Sequence, residues 1–287
     1  MSMDTILPFG SRTFVMGIIN LTPDSFSGDG LMEAEDVVAA AGRQAAQFTE
    51  DGVDILDLGA ESSRPGSEPI SAEEEMERLL PTLEHILSMR LDVLISIDTY
   101  KAQVAKECLA LGAHMINDIW ALRKDPELAQ VLAKANAPII LMHNRSQMGK
   151  ISKTTKLGGM YTGSTYQDLM ADIYQDLLES INIAKEAGVA NNNIILDPGI
   201  GFGKSIEENL RIIKELRLLK EKGYPILLGP SRKSFIGYTL DLPPEERLEG
   251  TLAASALGIH NGADILRVHD VKETVRVARM CDAILKC

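Results

Sequence analysis

Near the end of the chain the run DILRVHD places Arg267 and His269 two residues apart, the spacing that turns both side chains to one face of an extended strand. Upstream, PILLGPSRKS ends a second apolar run on Ser231, Arg232 and Lys233. Arginine offers a planar fork of donors and lysine a point charge, so two cationic clusters at the ends of two apolar runs make a candidate site for a phosphate or diphosphate. The competing structural reading pairs Arg267 with an acid such as Asp197.

A second group is acidic or amide. LISID ends on Asp98, HMIND on Asn117 and Asp118, and NIILD on Asp197. An aspartate suits the N-cap of a following helix, but several residues separate Asp98 and Asp197 from the next amphipathic stretch. A carboxylate accepts two parallel N–H bonds, whereas an asparagine both donates and accepts. Asp98, Asn117 and Asp197 therefore suit a flat heterocycle carrying amino and amide groups. His143 ends PIILMH with no further ligands at metal spacing, which favours a hydrogen-bonded structural histidine. DPGIGFGKS (197–205) fits neither a phosphate loop, because Pro198 stands where a glycine is needed, nor a dinucleotide loop, because Lys204 takes the third glycine's place. Its glycines are read as sharp turns beside a ligand. ESSRPG (61–66) reads as a polar turn carrying Arg64. Ser231 lacks the G-x-S-x-G context of an acyl-transfer nucleophile.

Eight apolar runs end in this way, at Asn20, Glu61–Ser63, Asp98, Asn117–Asp118, His143, Asp197, Ser231–Lys233 and Arg267–His269. The runs are near-continuous rather than alternating, as in parallel strands buried on both faces. Amphipathic stretches lie between them, including 32–52, 70–89, 101–112, 166–188, 205–223, 246–262 and 271–286. Eight strand–helix units predict a single (β/α)8 TIM barrel, one domain over 1–287, with its chemistry at the carboxyl ends of the strands. Two connections, 21–32 and 144–165, are long and polar.

The chain has 287 residues and a net charge of −12. That balance argues against attraction to nucleic acid or an anionic membrane, but not against a small anion in a local cationic pocket. Cys108, Cys281 and Cys287 have no metal spacing and read as free thiols of a reducing compartment. With no apolar run near membrane-spanning length and no signal-like start, a cytoplasmic protein is expected.

With these residues in place, the chain resembles the dihydropteroate synthases. The resemblance rests on GIINLTPDSFSGDG (17–30), ESSRPGS (61–67), SIDTYKAQVA (96–105), INDI (116–119), LMHNR (141–145), LDPGIGFGK (196–204), GPSRKSFIG (229–237) and GADILRVHDV (262–271). It implies condensation of p-aminobenzoate with (7,8-dihydropterin-6-yl)methyl diphosphate, with Mg²⁺, to give 7,8-dihydropteroate and pyrophosphate. It also implies that Asp98, Asn117, Asp197 and Lys233 hold the pterin, and that Asn20, Ser63, Arg267 and His269 meet the diphosphate. Asn20 would be the Mg²⁺ ligand. Phe26, Arg64, Pro65 and Ser234 would frame p-aminobenzoate. Lys233, Asp98, Arg267 and His269 are the expected catalytic set. A homodimer with a contact along 246–262, and competition by sulfonamides, belong to the same expectation. The first loop reads SFSGDG where the family has SFSDGG, which moves the acid to Asp29. Ser63 stands where the family has threonine. The alternative is a methyltetrahydrofolate-dependent methyltransferase of the related pterin-binding barrels, which needs neither Mg²⁺ nor a diphosphate cluster.

Overall fold

The computed structural model describes residues 7–21, 34–61, 69–146, 150–154, 157–162 and 166–287. Strands β1 (Phe14–Asn20), β2 (Ile55–Gly59), β3 (Leu94–Asp98), β4 (Met115–Asp118) and β5 (Ile139–Met142) come first. A small hairpin follows, β6 (Lys150–Thr154) with β7 (Gly158–Thr162), and then β8 (Ile194–Asp197), β9 (Leu227–Leu228) and β10 (Ile265–Val268). Apart from the hairpin, the strands pair in parallel in the order β8-β5-β4-β3-β2-β1-β10-β9. The two outer strands meet through a parallel bridge between Leu196 and Ile226, which closes the barrel. Helices α1 (Ala34–Glu50), α2 (Ala72–Ser88), α3 (Ala102–Leu111), α4 (Leu128–Ala135), α5 (Leu169–Glu186), α6 (Ile206–Glu215), α7 (Arg217–Lys220), α8 (Ser234–Leu240), α9 (Leu248–His260) and α10 (Val271–Leu285) alternate with the strands.

The barrel interior follows a period of two. Met16, Ile55, Met115, Ile140, Ile195 and Ile265 form an apolar floor with Phe14 and Leu227. Two residues further along, on the same inward face, Ile55 gives way to Asp57, Met115 to Asn117, Ile195 to Asp197 and Ile265 to Arg267. The floor and the polar layer above it are therefore one pattern. The outward residues of the same strands pack against the helices in a second cluster, which includes Cys108 of α3. The expected barrel is the observed one.

The hairpin lies inside the stretch 144–165 that reads as a polar loop. It escapes detection because its Ser, Thr and Lys residues show no apolar alternation. Its strands pair antiparallel, with Lys150 opposite Thr162 and Thr154 opposite Gly158.

One ion cluster fastens the connection between β2 and α2. Lys101 Nζ lies 2.5 Å from Glu61, just after β2, and 2.5 Å from Glu75, in the first turn of α2. Glu75 is fully buried, and burial pushes its carboxyl up against the pull of Lys101. One ammonium thus holds both ends of a connection that includes residues 62–68. We expect Lys101→Met to cost about 3–5 kcal/mol in urea unfolding, because a buried carboxylate loses its counter-charge. Adding Glu75→Gln should recover part of that loss, and equal losses for the single and double variants would contradict the clamp.

Candidate active site

The polar layer is joined by a chain of hydrogen bonds at the barrel mouth. Asn117 Nδ2 donates to Asp57 Oδ2 at 3.1 Å, and Arg267 Nε donates to the same oxygen at 2.6 Å. Arg267 Nη2 donates to Asp98 Oδ2 at 2.5 Å. The pairing of Arg267 with Asp197 envisaged from the sequence is not formed; the guanidinium instead reaches from β10 across β1 to β2 and β3. Asp57 is fully buried, and its Oδ1 has no hydrogen-bond partner among the described residues. Sequence reading missed this residue because it searched strand ends, while Asp57 sits mid-strand in ILDLG. The period of two from Ile55 marks it. Neither Asp98 nor Asp197 caps a helix: α6 is capped by Ser205, in a reciprocal box with Glu208. Asp118 faces away from the mouth, where its carboxylate accepts from Trp120 N and Leu122 N.

Asp197 and Lys233 occupy the other side of the mouth. Asp197 is buried and accepts from Gly199 N at 2.7 Å; burial raises its carboxyl, and Lys233 opposes the rise. Lys233 directly precedes α8. Its Nζ donates to Ile200 O and lies 4.7 Å from the centre of the Phe202 ring. Burial pushes that ammonium down to about 8. The neighbouring Arg232 has a left-handed backbone, φ 55°, and its guanidinium binds both oxygens of Asp270 at 2.9 and 2.5 Å. Arg232 is thus committed to Asp270, and of the SRK cluster only Lys233 joins the mouth. Burial likewise raises the Asp98 carboxyl, to about 7, against the attraction of Arg267.

The failed motif at 197–205 has a structural purpose. Lys204 is buried, and its Nζ donates to the carbonyls of Gly199 (2.8 Å), Phe202 (3.1 Å) and His143 (3.4 Å). Burial pushes this ammonium down to about 7. Gly199 and Gly203 have φ of 69° and 71°. A Cβ at Gly199 would stand 1.9 Å from His143 O, and one at Gly203 would stand 2.4 Å from the Arg145 carbonyl carbon. Their smallness serves the contact between the β8 and β5 connections, not the ligand contact expected of them.

His143 keeps its structural reading. It is fully buried, with Nε2 3.0 Å from Asp176 Oδ2, and Arg145 Nε donates to the same oxygen at 2.7 Å. Burial lowers the imidazole to about 3, so it is neutral and donates through Nε2. His269 is exposed at the rim, with Nδ1 3.0 Å from Ser231 Oγ. Ser234 is the first residue of α8. Asn20 ends β1, half-buried, and its side chain makes no hydrogen bond among the described residues. Phe26, Asp29, Ser63, Arg64 and Pro65 lie outside the described residues. The described part of the site is therefore a deep polar well with carboxylate and amide acceptors and Lys233 inside, and with Arg267, His269 and Asn20 towards the rim. It has the donors and acceptors for a flat heterocycle below and an anion above.

The chain matches the family model described as "Pterin binding enzyme" over residues 16–269. It is 49% identical to the dihydropteroate synthase of Bacillus subtilis, with 97% of this chain and 91% of that protein covered. It is also 49% identical to the Clostridium beijerinckii dihydropteroate synthase, with 96% of each covered. Among solved structures, it resembles a dihydropteroate synthase from Clostridium difficile crystallised in the presence of pteroic acid, at TM-score 0.87 and 45% identity, covering 97% of this chain and 99% of that one. A Xanthomonas albilineans dihydropteroate synthase in complex with 7,8-dihydropteroate matches at TM-score 0.83 and 35% identity, covering 96% and 95%. The relatives agree with the synthase reading and not with the methyltransferase alternative. The chain belongs to the pterin-binding enzyme family, among the dihydropteroate synthases.

Proposed function

We propose how the site divides the work of a dihydropteroate synthase, the transferase that condenses p-aminobenzoate with (7,8-dihydropterin-6-yl)methyl diphosphate. The reading is carried by the polar layer of Asp98, Asn117, Asp197, Lys233 and Arg267 at the carboxyl ends of the strands, with Asn117 and Asp197 buried and the other three half-buried. Asp197 and Asn117 meet the amino and amide edge of the pterin, and Asn117 keeps its Oδ1 open after donating to Asp57. Lys233 donates to the ring oxygen. Asp98 keeps its Oδ1 open beside the ring, since Arg267 takes only Oδ2.

The diphosphate lies above, towards Arg267, His269, Asn20 and Ser63. As the methylene C–O bond breaks, its electron pair goes to the diphosphate, and Arg267 and His269 stabilise the growing negative charge. Asp98 and Asp197 offset the positive charge that develops on the pterinylmethyl group. The arylamine nitrogen forms the new C–N bond and loses a proton. The nucleophile belongs to the substrate, which accounts for a site without a serine or cysteine nucleophile. Phe26, Arg64, Pro65 and Ser234 frame the arylamine.

Mg²⁺ suits this arrangement through Asn20, whose side-chain oxygen is a hard donor that makes no hydrogen bond among the described residues. Magnesium commonly takes few protein ligands and completes its shell with water and substrate phosphates. When bound, it supplies charge neutralisation at the diphosphate.

The protein is read as cytoplasmic, and no described helix is long and apolar enough to cross a membrane. The substrates are small molecules, with no nucleic-acid partner. A homodimer through α9 and α10 is supported by Leu257, Met280 and Ile284, which are 58%, 61% and 60% exposed on those two helices. Sulfonamides would compete with p-aminobenzoate at the arylamine subsite.

Pyrophosphate release that depends on both p-aminobenzoate and Mg²⁺ is the direct assay, and no release at saturating substrates would overturn the assignment. Lys233→Ala should lower kcat by about 10²–10³, because it removes one positioned charge, and should also cost stability, because buried Asp197 loses a facing cation. Arg267→Ala should lower kcat comparably and also cost about 3–5 kcal/mol of stability, since Asp57 is left buried without its cation. Asp98 acts as an anion only above about 7, and Lys233 as a cation only below about 8. We therefore expect kcat/KM for the pterin diphosphate to rise through the first value and fall through the second. A flat profile between pH 6 and 9, roughly one unit either side, would contradict these roles.

A further inference from the structure

The connection from β5 to α5 occupies residues 143–168, far beyond the roughly 2–6 residues such a joint needs. The hairpin it carries, β6 with β7, meets α8. Beyond the hairpin, Tyr166 Oη donates to Gly203 O of the β8 connection at 3.4 Å, and Arg145 lies 4.7 Å from the centre of the Tyr166 ring. The start of the hairpin's second strand reaches α8. There Tyr238 Oη donates to Gly158 O at 3.1 Å, and Arg247 Nη2 donates to Leu157 O at 3.2 Å.

Arg247 is a built anchor. It is 2% exposed and forms no ion pair among the described residues. Two further donors, Nη1 and Nε, go to Arg232 O and Leu242 O, each at 3.0 Å. One buried guanidinium thus ties together the hairpin turn, the β9 connection just before Lys233, and the chain leaving α8. It lies flat on α8 because residue 237 is glycine; a Cβ there would stand 2.1 Å from Nη2. Burying a guanidinium against carbonyls alone is costly, and Leu157 O is one of the three carbonyls that offset the cost, so the docked turn is part of what makes that position of Arg247 tenable. The turn ends beside the site: the side-chain atom nearest to a Cβ placed on Gly158 is Ser234 Cβ, at 3.9 Å.

We propose that the hairpin 150–162 is the outer wall of the arylamine subsite and sets the length of arylamine the enzyme accepts. The proposal rests on the reading of Ser234 as part of that subsite. An aniline with a para carboxylate fits between Ser234 and the mouth, and a para-extended arylamine meets the hairpin.

The test compares three proteins: the native chain, Tyr238→Phe, and a variant with residues 148–164 replaced by a short Gly-Ser linker. Each is assayed for pyrophosphate release with p-aminobenzoate and with p-aminobenzoylglycine. Replacing the hairpin should lower the preference in kcat/KM for p-aminobenzoate about tenfold, the scale of discrimination a pocket wall provides, while KM for the pterin diphosphate stays as in the native chain. Tyr238→Phe should move the preference the same way by a smaller factor at an unchanged melting temperature, and it decides the question if the replaced variant does not fold. An unchanged preference in folded, active variants overturns the wall. Absence of pyrophosphate release from the native chain with either arylamine overturns the functional reading itself.

Discussion

A guanidinium held inside a barrel between two carboxylates is the interaction on which the rest of this structure depends. Arg267 is fixed by Asp57 and Asp98 at 2.6 and 2.5 Å, and Asp57 in turn fixes Asn117. Four strands, β10, β2, β3 and β4, are thereby tied at one level above the apolar floor. Removing water from these groups is expensive, and the cost is offset only because each cation faces an acid or a ring of carbonyls. Asp57, Asp98 and Asp197 are matched by Arg267, Lys204 and Lys233, so an acidic protein of net charge −12 keeps a locally balanced well. The well is set before a substrate arrives, which is what electrostatic catalysis of a departing diphosphate requires.

The second constraint is the joining of neighbouring connections. Lys204 binds the β8 connection to the β5 connection through backbone carbonyls, and Gly199 and Gly203 permit the approach. Lys101 does the same for the two ends of the β2–α2 connection. Arg247 does it for the hairpin, the β9 connection and α8. In each case a long cation serves as the fastener, because several donors on a flexible stem can meet acceptors from segments distant in sequence. The site residues are precise because the turns that present them are held from behind.

Much of this was legible in the residues. Eight near-continuous apolar runs ending on polar residues sufficed for the barrel, since a parallel strand buried on both faces has no other way to read. Asp98, Asn117, Asp197, Lys233 and Arg267 stood at those endings, and the structure gathers them at one mouth. Asp57 did not stand at an ending, so a search of strand termini passed over it, although its offset of two from Ile55 places it on the inward face. Arg232 looked equivalent to Lys233, but its left-handed backbone and Asp270 carry its side chain elsewhere. No local pattern announces such a pairing between residues far apart in sequence. The hairpin was hidden for a different reason: KISKT and GGMYT show no sustained apolar alternation, and without it a strand leaves no periodic trace.

Buried Asp57 holds Arg267 and Asn117 in place, and through them the mouth proposed to take the pterin. Calorimetric binding of 6-hydroxymethyl-7,8-dihydropterin to the native chain and to Asp57→Asn tests it most directly. The account predicts about tenfold weaker binding to a variant that remains folded, because residues in one hydrogen-bond network are energetically coupled. Equal affinities for the two folded proteins would contradict it.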